Sequence, residues 1–115
     1  MSSNAYSCEQ VKHLCALFKL LAEPNRLNIL CNLGMECRPV SDIVAATGLS
    51  QTNVSFHLRA LREAGLVRPE RRGAFIYYCL PDSKLLSLLD DMWSWVEQRQ
   101  MDVTVTDDHL KLGRS

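Results

Sequence analysis

The chain has 115 residues, with 13 Lys and Arg against 13 Asp and Glu, and an apolar fraction of 47%, which fits one globular domain with a modest core. The neutral balance leaves no global basic field, so any polyanion must be met by a local patch. No apolar run approaches the roughly 18 residues of a membrane span and no signal-peptide core is present, so a soluble cytoplasmic protein without a membrane partner is expected.

In chain order, the first helix spans about residues 8 to 22 and sets Val11, Leu14, Cys15, Phe18, Leu21 and Ala22 on one side. Pro24 suits the first turn of a second helix, where a missing amide costs nothing; it runs over about residues 24 to 33 and contributes Leu27, Leu30, Cys31 and Leu33. A shorter apolar pattern follows in Val40, Ile43, Val44 and Leu49, opened by Ser41 and closed by Gly48.

The next helix starts at Ser50 or Gln51, with Ser50 a good cap for free amides. Val54, Leu58, Leu61 and Leu66 fall near one face at the 3.6-residue period of a core stripe. The opposite face carries Thr52, Ser55, Phe56, Arg59, Arg62 and Glu63, and Gly65 ends the helix. Two short helices joined by a glycine-containing turn of about four residues set the second helix in a major groove. His57, beside the apolar stripe, is expected to pack half-buried rather than to touch a base.

Val67 to Arg72 and Ala74 to Leu80 make the arms of a hairpin that reverses near Gly73. Its first arm must be an edge, because Pro69 lacks a ladder donor. Between residues 59 and 80, Arg59, Arg62, Arg68, Arg71 and Arg72 face only Glu63 and Glu70, a net +3, whereas residues 81 to 115 carry −3. The local positive charge is all arginine, the side chain suited to phosphate forks and guanine edges. The last helix, about residues 82 to 99, has an apolar face of Leu85, Leu86, Leu88, Leu89, Met92, Trp93 and Val96, with Trp95 on a flank. That width exceeds what one small core needs and points to a second subunit. One domain is expected over residues 1–100, followed by a polar, disordered tail at 101–115.

The expected fold is mainly α with a small β-hairpin: a winged helix-turn-helix of four helices, two strands and a fifth helix. The chain resembles the ArsR/SmtB family of bacterial winged-helix repressors over about residues 10 to 100. The resemblance rests on Leu20-Leu21-Ala22-Glu23-Pro24-Asn25-Arg26-Leu27-Asn28-Ile29-Leu30, on Ser50-Gln51, Val54-Ser55, His57-Leu58, Leu61-Arg62 and Ala64-Gly65-Leu66-Val67, and on Arg72-Gly73 with Tyr77-Tyr78. It implies a homodimer, formed through the first and last helices, that sits on an inverted-repeat operator in double-stranded DNA and leaves it when an inducer binds. The family's recognition-helix contacts map onto Gln51, Thr52, Ser55 and Phe56, and its wing contact onto Arg72 with neighbouring Arg71. Arg59, on the same exposed face, joins the DNA-binding set. The rival is a winged-helix protein-interaction module that does not act through DNA.

Two kinds of inducer are open, one that acts on cysteines and one that does not involve thiols. The five cysteines, Cys8, Cys15, Cys31, Cys37 and Cys79, form an odd set in a chain without a secretion signal, which argues against a disulfide scaffold. Cys8 and Cys15 stand about 10 Å apart on one helix, too far to share an ion. Cys15 and Cys31 lie on apolar stripes and are expected to be buried, Cys79 to be structural, and Cys37 to be exposed and reactive. Cys15, Cys31 and Cys37 are the candidate inducer-sensing residues, through a reactive sulfur species, an oxidant, or trivalent arsenic or antimony held by thiolates.

The family's Cys-Val-Cys-Asp metalloid motif is replaced by Pro39-Val40-Ser41-Asp42, and residues 82 to 99 lack the histidine of its zinc site. No metal site is assigned. Leu27 to Leu33 resembles the second helix of the sulfide- and persulfide-responsive branch through Cys31, but the last helix has no partner cysteine. An enzyme is not expected, because three scattered histidines assemble no nucleophile–base set.

Overall fold

The computed structural model describes residues 5–99; the tail expectation for 101–115 lies outside the described residues. Helix α1 (Cys8–Leu21) is opened by a reciprocal cap, in which Ser7 Oγ accepts from the Gln10 amide while the Gln10 side chain accepts from the Ser7 amide. Such a pair satisfies two of the free donors of the first turn. Pro24 is the first residue of α2 (Pro24–Leu33), and Glu23 caps it by accepting from the amides of Asn25 and Arg26. Next come β1 (Arg38–Pro39), α3 (Val40–Thr47), α4 (Gln51–Glu63), β2 (Arg68–Arg72), β3 (Phe75–Cys79) and α5 (Lys84–Arg99).

The expected winged helix-turn-helix is present, with three differences in detail. A third strand, β1, pairs antiparallel with β3, so the sheet order is β1-β3-β2. Helix α3 begins at Val40 after Pro39, so Ser41 lies inside it and does not open it. Helix α5 starts at Lys84, whose amide donates to Asp82 Oδ1 in front of it. Pro69 does lie on an edge strand, β2, opposite Tyr78, where its missing donor costs no ladder bond.

The core is built from Ile29, Leu30, Leu33, Ile43, Leu49, Val54, Leu58, Leu61 and Val67, contributed by α2, α3, α4 and the segments beside them. Each fully buried aliphatic side chain there is worth about 1.5–3 kcal/mol over exposure. Helices α1 and α5 contribute no buried residue. Their apolar side chains Val11, Leu14, Phe18, Leu88, Met92 and Trp93 are exposed in the single chain. The core therefore fixes α3, α4 and the wing, and leaves the two end helices with an unspent apolar face.

A candidate nucleic-acid interface

Helix α4 is held at both ends. Ser50 Oγ accepts from the Asn53 amide at 3.1 Å, which satisfies a first-turn donor. At the other end Gly65, at φ +81°, lets the chain reverse: the Leu66 amide donates to Leu61 O and the Gly65 amide to Arg62 O, both at 2.9 Å. These two bonds are the six-to-one and five-to-two pair of a Schellman stop. Between these ends Val54, His57, Leu58 and Leu61 are buried. Gln51, Thr52, Ser55, Phe56 and Arg59 are all exposed on the outward side. Phe56 is 61% exposed and makes an edge-type ring contact with His57, at 5.2 Å between centroids. An exposed aromatic among small polar groups at the start of a helix can meet a thymine methyl while its neighbours bond base edges.

His57 is buried, more deeply than the half-burial expected of it, and it also anchors a polar bracket. Its Nδ1 accepts from Arg26 Nε at 3.3 Å, which leaves the ring proton on Nε2, 3.9 Å from Glu23 Oε1. Burial holds the imidazole below its ordinary range; Glu23 pulls it up, and Arg26 pushes it further down. The bracket ties the N-terminus of α2 to the middle of α4, and so orients the exposed face of α4 by a polar contact as well as by the core.

The wing pairs Arg68 with Cys79 and Arg72 with Phe75, leaving a two-residue turn at Gly73 and Ala74. Arg68, Glu70 and Arg72 alternate onto one face of β2. Arg72 donates to Glu70 Oε1 through Nε at 3.0 Å and Nη2 at 2.6 Å, and its guanidinium lies 4.8 Å from the Tyr77 ring centre. The hydrogen bonds and charge of Arg72, with Arg68 behind them, hold the Glu70 carboxyl below the usual range. Arg71 is exposed and donates a long hydrogen bond to Gly73 O, at 3.5 Å. Arg59 is exposed and paired with Glu63 at 3.3 Å, a one-turn surface contact worth a few tenths of a kcal/mol. Arg71 is thus the readier of the two wing arginines, and Arg72 is pre-engaged.

The cysteines depart most from expectation. Cys37 is neither free nor the most reactive thiol: it is disulfide-bonded to Cys79, 42 residues away. The expectation against a disulfide was wrong because the pairing is a matter of strand register, which a residue count does not reveal. Cys15 and Cys31 are exposed and not buried, because among the described residues no layer covers the faces of α1 and α2 that carry them. Burial among its neighbours still pushes the Cys31 thiol up, with the Asp90 carboxylate of α5 adding to it. Cys8 is exposed at the start of α1. Sequence reasoning also passed over Glu70 except as a charge, although the Arg-Pro-Glu-Arg-Arg alternation in β2 already set it beside two arginines.

Residues 23–68 match the model of the bacterial regulatory protein, arsR family. The chain is 41% identical over 102 residues to the HTH-type transcriptional regulator NmtR of Mycobacterium tuberculosis, covering 89% of this chain and 76% of that protein. It is 36% identical over 77 residues to the arsenical resistance operon repressor of Bacillus subtilis, covering 64% of this chain and 71% of the repressor. A homodimeric winged helix-turn-helix DNA-binding domain from Mycobacterium bovis superposes with a TM-score of 0.68 at 27% identity, over 91% of this chain and 100% of that domain. On the α4 geometry and these likenesses together, the chain belongs to the ArsR family of winged helix-turn-helix DNA-binding transcriptional repressors.

Proposed function

We propose that the protein acts as a homodimer on an inverted-repeat operator and is released by an inducer that acts on cysteines. The observation that carries the DNA contacts is the exposed face at the start of α4, where Gln51, Thr52, Ser55 and Phe56 stand together over a buried Val54. In this reading those side chains meet base edges, Arg59 and Arg71 meet phosphate, and Arg72 follows when it exchanges Glu70 for the backbone. The dimer reading is supported by a groove of about 500 Å³ between α1 and α5, lined by residues including Leu14, Phe18, Leu21, Leu88, Leu89 and Met92. A two-fold pairing there would place two α4 helices on successive turns of DNA. The arsenical resistance operon repressor of B. subtilis lends weight to a thiol-reactive metalloid inducer, and cysteines suit that chemistry.

The test is fluorescence anisotropy on duplex from the protein's own upstream region, repeated with arsenite and with polysulfide. Gln51→Ala should cost about 1–3 kcal/mol in binding, and Arg71→Ala should lower the salt slope by about one. Full affinity in both variants would move the DNA contacts off Gln51 and Arg71, and no binding by the wild type even at low salt would favour the protein-interaction module instead. Binding that survives both additives would keep the repressor and remove cysteines from its release.

A further inference from the structure

One cluster of chemically competent side chains lies outside the DNA-facing set. Cys37 immediately precedes β1 and Cys79 ends β3. The antiparallel register that pairs Arg38 with Tyr78 carries the two cysteines onto directly opposed positions, with Cα atoms 4.2 Å apart. Glu70 reaches in from the neighbouring strand β2. Its Oε1 lies 3.8 Å from Cys37 Sγ and 3.7 Å from Cys79 Sγ. The three ligand atoms fall within 4.8 Å of one another, and the sheet fixes all three.

We propose that reduced Cys37 and Cys79, with Glu70, form a binding site for a soft or borderline divalent cation of the zinc or cadmium class. Two thiolates and a carboxylate are a donor set such ions accept, with a fourth position left for water or an external thiol. Tetrahedral bonds of about 2.3 Å to sulfur and about 2.1 Å to oxygen set sulfur and oxygen roughly 3.5–3.6 Å apart. The two observed sulfur–oxygen separations lie within a few tenths of an ångström of that, while the two sulfurs, bonded to each other here, must part on reduction before both can ligate one ion. Cys79 is 2% exposed, so the inner side of the site is closed by protein, while the half-open Glu70 leaves a path in from the wing.

The disulfide opens by exchange with a small dithiol. The reductant gives two electrons and two protons to the pair and leaves as its own disulfide. Cation binding then expels the two thiol protons, so affinity rises with pH. Ligation also claims the Glu70 oxygen that now accepts both Arg72 bonds, and so frees a wing arginine. That last consequence rests on the DNA reading of the wing; the cation site does not.

The experiment is an anaerobic titration of the full, reduced chain with cobalt(II), followed by its visible absorption and without DNA. Expected are the intense bands of tetrahedral thiolate-bound cobalt at one ion per chain, displaced by zinc. C37S and C79S should each abolish them. E70Q should weaken binding by no less than the roughly tenfold that even outer-shell partners are worth. The C8S/C15S/C31S triple variant, which leaves the strands untouched, should keep them. Absent bands in the reduced wild type, bands that survive C37S, or bands lost in the triple variant would each overturn the site. Operator anisotropy on the same samples separates the two ideas: bands without DNA binding defeat the repressor reading alone, and DNA binding without bands defeats the cation site alone.

Discussion

At the scale of single residues, the bracket of Glu23, Arg26 and His57 makes stability depend on pH. Burial is the largest force against the imidazolium; Glu23 favours it, and protonating Nδ1 would also end its acceptor role toward Arg26 and set two cations side by side. The folded-state pKa therefore lies below the ordinary 6.5. Between the folded and unfolded pKa values the unfolded chain binds more protons, so stability rises with pH there. The contribution is complete above about 6.5 and is lost progressively as pH falls below it. Urea midpoints from pH 8 to pH 5 should thus decline more steeply in the wild type than in His57→Gln, which has no imidazole to titrate. Parallel curves for the two proteins would remove His57 as the cause. The sequence already marked His57 as a packing residue, because it borders the 3.6-residue stripe. Its partners could not be read, since Arg26 lies 31 residues earlier and local periodicity carries no information on contacts between helices.

At the scale of elements, what was legible depended on whether the signal was local. The span expected for α1 differs from Cys8–Leu21 by one residue at its end, and Pro24, Ser50 and Gly65 all punctuate helices as their chemistry dictates. Strand β1 was not legible: two residues, one a proline, carry no alternation, and their pairing with β3 spans some forty positions. Missing β1 meant missing the register that opposes Cys37 and Cys79, and with it the setting of Glu70. The Schellman stop allows a direct test of local chemistry. A Cβ at Gly65 would meet nothing within 4 Å, so the cost of a substitution there is conformational and not steric. Gly65→Ala should lose about 1–2 kcal/mol, the penalty of the left-handed region for an ordinary residue, and lower the melting temperature by several degrees. Gly65→Asn should recover part of it, because asparagine tolerates that region. An alanine variant as stable as the asparagine one would refute the conformational account.

At the scale of the whole molecule, the chain divides into a core that positions the exposed face of α4 and two end helices with apolar faces in solvent. Trp93 is 63% exposed, and Leu88 and Met92 line the groove that α5 shares with Leu14 and Phe18 of α1. The breadth of the α5 stripe was legible from its spacing, but which part of it meets its own chain is decided by tertiary packing. Among the described hydrophobic residues of α5, Leu85 alone packs against the buried core cluster. This separation makes dimerisation testable without unfolding the protein, because Leu88 and Met92 take no part in that cluster. Leu88→Glu combined with Met92→Glu should yield a folded monomer in sedimentation velocity, with its helical circular dichroism close to wild type. Buried against a partner, two carboxylates on an apolar face go unpaired and oppose association. DNA affinity should then fall by orders of magnitude rather than by the cost of one contact, because the second half-site is no longer tethered to the first. A double variant that still sediments as a dimer would move the interface off α1 and α5, while a wild type that sediments as a monomer would remove the dimer altogether.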